Sequence, residues 1–352
     1  AAESIRFHED PASLLAEVSS SEDILEFRAS GTTVADEGAR AITERLPSLT
    51  RLDLSDNGIG EAGAQVIAER LVSLTHLNLS DNGIGDAGAQ AIAERLPSLA
   101  QLDLSHNRIA DAGAQAIANR LVLLTRLDLS DNSIGLEGAQ AIANRLISLT
   151  RLDLNDNHIG DAGAQALAEH LPSLTSLGLG GNGIGDAGIR SISKCLSAIT
   201  SLNLRHNDAS EAGLWAIAEH LPWLTMLTLG GNPIGDSGIR VIADHLSMLT
   251  WLSLGASNVG DTGAQIIAAH LPLLTSLHLW DNQIGDAGAE AIAHNLPLLK
   301  SLGLWSNRIG DAGAMALVEH LSLLSSLDLS NNNIGDSGLR AVLNTFVERE
   351  ST

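Results

Sequence analysis

The 352-residue chain has a single cysteine, no tyrosine and few aromatic side chains, which make up 2% of its residues. One thiol, Cys195, excludes an intrachain disulfide framework, so the fold does not depend on an oxidising compartment for its stability. Because aromatic rings are rare while hydrophobic residues reach 44%, the core must be built from aliphatic side chains. No apolar run approaches about 20 residues, the length that a membrane-spanning helix needs.

Basic residues are also scarce. Only 20 lysines and arginines stand against 42 aspartates and glutamates, and the formal net charge is −22. Such a surface repels phosphate backbones and anionic lipids, so we expect neither nucleic acid nor a membrane as a partner. The sequence also lacks a P-loop and the motifs HExxH, GxSxG and CxxC. We therefore predict no enzymatic activity, no cofactor and no metal site.

A repeat of 25 residues dominates the chain. The stretch LTRLDLSDNGIGEAGAQVIAERLVS at residues 49–73 returns as LTHLNLSDNGIGDAGAQAIAERLPS at residues 74–98. Copies begin every 25 residues from 26 to 326, which makes 13 copies without an insertion or deletion. Repeats of this period indicate a stacked array in which each unit contacts its neighbours. We expect an N-terminal cap or degenerate repeat at residues 1–25, the array at 26–350 and a tail at 351–352. Within the cap, Ser4–Phe7 predict a short strand, and Asp10 and Pro11 predict the start of a helix.

Each copy reads as a strand followed by a helix. Leu52 and Leu54 alternate with polar residues, the period of a strand with one buried face. Ala64, Ile67 and Leu71 recur at the spacing of one helical face. Parallel strands stack about 4.8 Å apart whereas packed helices need about 8–10 Å. This mismatch predicts a curved array with a parallel sheet on its concave face and helices on its convex face.

Two polar positions recur between the strand and the helix. Asn57 represents a column of asparagines that we expect to satisfy the backbone of adjacent turns. Ser257 replaces the asparagine in one copy, where we expect a local irregularity. Glu61 represents an acidic column, aspartate in most copies, and we predict that each acid caps the helix it begins.

The pattern LxxLxLxxNxIG, read here at residues 49–60, resembles the signature of the leucine-rich repeat family. The strand–helix copy is similar to the ribonuclease-inhibitor branch, and GAQALA at residues 163–168 resembles the repeats of bacterial GALA-type effectors. The resemblance implies an α/β solenoid, a curved horseshoe, that binds a partner protein through its concave face without catalysis. It also suggests a bacterial effector acting on a host protein. The alternative is a recognition or regulatory module of an enzyme system, as in a ubiquitin-ligase adaptor or a GTPase regulator. The compartment stays open between secretion into a host cell and the cytoplasm.

Outward-facing residues that vary between copies are the informative ones in a repeat protein. From about residue 176, glycines occupy many positions of the predicted concave face and leave it with few side chains. Six larger side chains project from it. They are Arg205, Met226, Trp251, His278, Trp280 and Trp305. Trp280 and Trp305 share a column in adjacent strands, so we expect them side by side. Tryptophan and arginine are enriched in binding hot spots, which predicts a partner-binding surface, the tryptophan patch. In the alternative interpretation the rings only stack on one another to cover the sheet.

The same face is charged in the earlier copies, where arginines form one column and aspartates the next. The residues are Arg51, Asp53, Arg126, Asp128, Arg151 and Asp153. They predict either cross-strand Arg–Asp pairs on a solvated face or a secondary surface for a basic partner protein. We expect a monomer, with self-association through an exposed edge or the tryptophan patch as the alternative.

Overall fold

The computed structural model describes the backbone of residues 3–6 and 24–350 and the side chains of residues 24–344. A capping strand predicted at the start of the chain is present as Glu3–Arg6. The helix predicted after it, beginning at Asp10 and Pro11, lies outside the described residues. The chain divides into two compact units, unit 1 at residues 1–182 and unit 2 at residues 183–352.

Unit 1 alternates strands and helices. Its described strands are β1 Glu3–Arg6, β2 Ile24–Arg28, β3 Arg51–Asp53, β4 His76–Asn78, β5 Gln101–Asp103, β6 Arg126–Asp128, β7 Arg151–Asp153 and β8 Ser176–Gly178. Its described helices are α1 Ala35–Arg45, α2 Glu61–Arg70, α3 Gly85–Arg95, α4 Asp111–Arg120, α5 Leu136–Arg145 and α6 Gly160–His170. Every strand pairs in parallel with the next one along the chain, from β1 to β8.

Unit 2 repeats the same design. Its described strands are β9 Ser201–Asn203, β10 Met226–Thr228, β11 Trp251–Ser253, β12 Ser276–His278, β13 Ser301–Gly303 and β14 Ser326–Asp328. Its described helices are α7 Asp186–Cys195, α8 Glu211–His220, α9 Gly235–His245, α10 Asp261–His270, α11 Asp286–Asn295, α12 Asp311–His320 and α13 Asp336–Glu350. The strands pair in parallel from β9 to β14, which confirms the predicted α/β solenoid of strand–helix repeats.

The core lies between the strands and the helices of each unit. Leu52 is in register with Leu77, and the side chains of both are almost fully buried. Ile67 and Leu71 close the same layer from the helix side with no exposed surface. Because the side chains flanking each strand leucine point the other way, the strands have one face turned away from this core, which we call the strand face. No helix within residues 24–350 is long and apolar enough to cross a bilayer.

The asparagine column joins consecutive copies as predicted. The Asn107 amide donates to the Leu79 carbonyl of the preceding copy at 2.7 Å and to the Ser105 carbonyl at 2.9 Å. Its Oδ1 accepts from the Ile84 N–H at 3.1 Å. One buried side chain thus satisfies backbone groups that have no partner in a sheet ladder.

The copy that carries Ser257 satisfies the corresponding backbone groups in a different way. The Ser257 hydroxyl donates to the Gly255 carbonyl at 3.3 Å. An asparagine there would accept from the Ile234 N–H, by analogy with the other copies. Without it, the Ile234 N–H donates to the Asn232 carbonyl at 2.8 Å, and the irregularity expected in this copy is a local backbone turn.

The acidic column is where the prediction was wrong. The residues that precede the helices are mostly glycine or isoleucine, and the aspartate occupies the first helical turn. Asp111 Oδ1 accepts instead from the N–H groups of Gly135 and Gly138 in the next copy, at 2.7 and 2.9 Å. The acid therefore caps the following helix, because a side chain in the first turn reaches the neighbouring helix more easily than its own free N–H groups.

Candidate functional site

The tryptophan patch lies on the strand face of unit 2. Met226 and Trp251 are register partners on β10 and β11, and their side chains are 40% and 36% exposed. The Trp251 ring contacts the His278 imidazole of β12 with centroids 4.9 Å apart. Three neighbouring strands thus contribute one partly exposed apolar surface.

The second part of the patch is an indole stack. The rings of Trp280 and Trp305 are nearly parallel, 5° apart, with centroids separated by 5.2 Å. The prediction that they stand side by side is confirmed. A Cβ at Gly255 would overlap the Trp280 ring, so the glycine makes the space into which the indole leans. Both rings are half-buried, and part of each stays open to solvent on the strand face.

His278 connects the patch to the sheet. Its Nε2 lies 3.0 Å from the Ser276 hydroxyl, and a Cβ at Gly303 would come within 2.8 Å of its Nδ1. Burial lowers the pKa of His278 below its ordinary value, so the ring is neutral at physiological pH and acts as a flat polar edge beside Trp251.

Arg205 shares a column with Trp280 and Trp305. It follows β9, which pairs with the strand of Met226, and the positions of Gly230 and Gly255 lie between it and Trp280. The structure thus places Met226, Trp251 and His278 in one group and the two stacked indoles in an adjoining one, with Arg205 three copies before Trp280. Their role in binding stays a prediction.

The strand face of unit 1 carries a groove of about 330 Å³. We call it the charged groove, and strands β2 to β8 line it. The arginines Arg51, Arg126 and Arg151 are exposed along one side, and the aspartates Asp53, Asp103, Asp128 and Asp153 are half-buried along the other. All six residues of the predicted secondary surface thus meet in one cavity.

The predicted Arg–Asp pairs are not formed. Among the described residues no ion pair joins Arg51, Arg126 or Arg151 to a carboxylate. The register explains this, because it sets Arg126 beside Arg151, and Asp128 beside Asp153, on neighbouring strands. Like charges therefore neighbour each other within each column.

Serines hold the aspartates instead. The N–H and hydroxyl of Ser105 donate to Asp103 Oδ1 at 3.0 and 2.7 Å. Ser130 does the same to Asp128 Oδ1 at 3.0 and 2.6 Å. Each carboxylate is thereby fixed by one oxygen, with its charge uncompensated by a cation.

The pKa shifts in the groove show the same lack of compensation. Burial first, then the charges of Asp128 and Asp53, raises the pKa of Asp103, although the bonds from Ser105 oppose the shift. Burial, followed by the charges of Arg51 and Arg126, lowers the pKa of His76. Each column therefore feels mainly its own sign of charge.

Sequence reasoning missed part of this groove. His76 and Gln101 line it as well, and it begins at Glu26 and Arg28, which pair with each other at 2.6 Å. The signal was in the sequence, since His76 and Gln101 lie in the arginine column. Within residues 24–344 no group of three or more His, Cys, Asp or Glu side chains is arranged to hold a metal ion.

Comparison with known proteins gives family and structural matches. One family model, described as a leucine-rich repeat, matches residues 47–109. A second leucine-rich repeat model matches residues 122–143, 145–168, 170–193, 220–243, 270–293, 295–318 and 320–343. Together the two leucine-rich repeat models cover more than half of the chain.

Among solved structures, the chain is similar to an internalin from Listeria monocytogenes, with 25% sequence identity and a TM-score of 0.57. The match covers 89% of this chain and 83% of the internalin chain. The comparison with curated proteins gave no match.

Proposed function

Because this chain belongs to the leucine-rich repeat family, whose members generally act as protein-interaction scaffolds, we propose that it binds a partner protein through its strand face. The tryptophan patch of unit 2 is the main contact surface, and the charged groove of unit 1 is a secondary one. In this proposal the chain has no catalytic step of its own.

The indole stack and the Trp251–His278 contact carry the proposal. Rings held by stacking and by a glycine-lined sheet lose little conformational freedom when a partner docks, so most of their contact energy contributes to affinity. Tryptophans in such settings are the residue type that dominates measured hot spots. A partly exposed apolar cluster on an otherwise acidic surface is typical of an interaction site.

The proposed biological setting is a bacterial effector that acts on a host protein. Its support is the similarity of residues 163–168 to GALA-type repeats, and the likeness to an internalin of a bacterium is compatible with it. The assignment to the ribonuclease-inhibitor branch rests on the strand–helix form of each copy.

The proposal is tested by removing the indole stack. The full chain carrying Trp280→Ala and Trp305→Ala is used as bait in extracts of candidate host cells, beside the unchanged chain. Proteins that the unchanged chain captures are then purified and their affinity is measured by calorimetry. We expect the affinity to fall about 30-fold or more, the scale of losing one strong hot spot.

A matched control uses the other two tryptophans. Trp215 and Trp223 are 47% and 41% exposed, and they lie on α8 and in the turn after it, away from the strand face. Replacing both with alanine removes as many indoles and should leave the affinity unchanged. Circular dichroism should be the same for all three proteins. Undiminished binding by the variant with Trp280→Ala and Trp305→Ala would contradict the proposal.

A further inference from the structure

The charged groove is complementary to an occupant that carries both positive and negative charges. Three arginines line one side and four aspartates the other, and among the described residues no ion pair joins the arginines of this groove to Asp103 or Asp128. We propose that the charged groove binds an extended polypeptide segment in which acidic and basic side chains alternate. Its carboxylates lie over the arginine column and its cationic groups over the aspartate column. The inference rests on the proposed scaffold function and specifies the partner at its secondary surface.

Partners of a single sign fit the groove poorly. A purely basic segment, the occupant expected from the sequence, would compensate Asp103 and Asp128 but would bring more positive charge to Arg126 and Arg151. A purely acidic segment would meet the reverse problem at the aspartates. Like-charge contacts of this kind cost binding energy, whereas a segment with both signs satisfies both columns at once.

The aspartates are prepared for a cation. Ser105 and Ser130 hold Oδ1 of Asp103 and Asp128, and no hydrogen bond within the described residues uses the Oδ2 atom of either. A fixed carboxylate with one free oxygen loses little conformational entropy when it accepts a hydrogen bond from an ammonium or guanidinium group. The exposed arginines of the other side offer several donors each to a carboxylate.

The spacing of the columns fits an extended chain. Within one strand the two columns are two residues apart, as Arg126 and Asp128 are, so their side chains point to the same face. Five strands, β3 to β7, span about 19 Å at about 4.8 Å per step, which about six residues of extended chain cover. Successive side chains of such a chain point to opposite sides, so a backbone between the columns directs alternate residues to each.

Fluorescence anisotropy with labelled peptides tests the inference. The probes are a peptide of alternating glutamate and lysine, a peptide of the same composition with its glutamates and lysines in two blocks, an all-glutamate peptide and an all-lysine peptide. With the full chain at low salt we expect the alternating peptide to bind about tenfold more tightly than each of the others. Binding of the all-lysine or the block peptide that equals it would overturn the inference, as would no binding by the alternating peptide.

Two variants separate recognition from a folding defect. Arg126→Gln with Arg151→Gln, and Asp103→Asn with Asp128→Asn, should each weaken the alternating peptide about tenfold. The aspartate variant should also gain affinity for the all-glutamate peptide, a reversal that loss of structure cannot produce. A variant that keeps the selectivity of the unchanged chain would contradict the assignment.

The tryptophan variant distinguishes the proposal about the tryptophan patch from the proposal about the charged groove. Trp280→Ala with Trp305→Ala should leave the affinity for the alternating peptide unchanged, because the tryptophan patch belongs to unit 2. If captured partners depend on the tryptophans but the peptides show no selectivity, the inference about the groove fails alone. If the peptide selectivity is present but the tryptophan variant still binds every partner, the main contact surface is wrong and the inference about the groove stands.

Discussion

At the scale of single residues, the first-turn aspartate links each helix to the next copy. Asp286 Oδ1 accepts from the N–H groups of Gly310 and Gly313, at 2.7 and 2.9 Å, and so caps α12 from α11. We expect Asp286→Ala to lower the free energy of unfolding by about 1–2 kcal/mol, the usual loss for a helix cap. Urea unfolding followed by circular dichroism measures it.

The control is an acid at the same repeat position without the bond. Glu61 begins α2, and among the described residues no hydrogen bond joins its carboxylate to α3. Glu61→Ala should therefore change the unfolding free energy by less than about 0.5 kcal/mol, as surface substitutions do. Equal losses in Asp286→Ala and Glu61→Ala would show that the helix dipole, and not the bond across copies, matters.

Replacing Asp103 should stabilise the chain, whereas replacing Asp286 should destabilise it. Its pKa in the folded chain is raised above the ordinary 3.8, so the folded state binds the proton more tightly than the unfolded chain does. The ionised carboxylate therefore lowers stability above the folded pKa, and this loss disappears as the pH falls below the unfolded value. We expect Asp103→Asn to raise the unfolding free energy at pH 7 and to change it little at pH 3.

Asp186 is the matched contrast. Burial opposes its ionisation, but bonds from Ser210 and from the Gly213 N–H outweigh burial and lower its pKa. A lowered folded pKa contributes stability above the unfolded value, and that stability is lost as the pH falls through the folded pKa. Asp186→Asn should therefore destabilise the chain at pH 7, with a smaller loss at pH 3. A loss of stability at pH 7 in Asp103→Asn would contradict its assignment, and a gain in Asp186→Asn would contradict the other.

At the scale of elements, neighbouring helices pack so closely that a glycine is required. An added Cβ at Gly288 of α11 would come within 2.7 Å of Asp261 Oδ1, 2.8 Å of Ile284 Cγ2 and 3.0 Å of Ala264 Cβ. Alanine is the better helix former by about 1 kcal/mol, so local propensity alone predicts that Gly288→Ala stabilises. We expect the contrary, a loss of more than about 1 kcal/mol from overpacking, measured by thermal unfolding.

A reference substitution in the same helix calibrates the propensity. Ala287, one residue earlier, is exposed, and Ala287→Gly should cost about 0.5–1 kcal/mol through backbone entropy. If Gly288→Ala instead raises the melting temperature, the close approach of α10 and α11 is not what selects glycine in this column.

Sequence reasoning works well where a position is repeated and poorly where two copies meet. The strand and helix of each copy, and the bonds of the asparagine at 107 to the preceding copy, follow from periodicity and donor counting. The stack of Trp280 and Trp305 follows from their shared column. The target of the Asp111 carboxylate depends on the distance between two neighbouring helices, and the sequence of a single copy does not specify that distance.

At the scale of the whole molecule, the acidic excess should make stability depend on salt. The formal charge is −22, and the described ion pairs of Arg28, Arg70 and Arg240 are on the surface, where such pairs contribute little. We expect repulsion among carboxylates to be the larger effect. At Asp103, where burial is the main cause of the raised pKa, the charges of Asp128 and Asp53 raise it further. Raising sodium chloride from about 10 mM to about 0.15 M shortens the screening length from about 30 Å to about 8 Å. We expect the melting temperature to rise.

A variant of the charged groove tests how much of this salt dependence comes from the aspartate column. Asp103→Asn with Asp128→Asn removes two of the neighbouring charges, so its melting temperature should be higher at low salt and should rise less as salt is added. A melting temperature that falls with sodium chloride would mean that attractive pairs dominate. The same logic connects stability to binding, since an occupant that brings cationic groups to the aspartate column provides locally what salt provides generally. Bound peptide should therefore raise the melting temperature of the unchanged chain most at low salt.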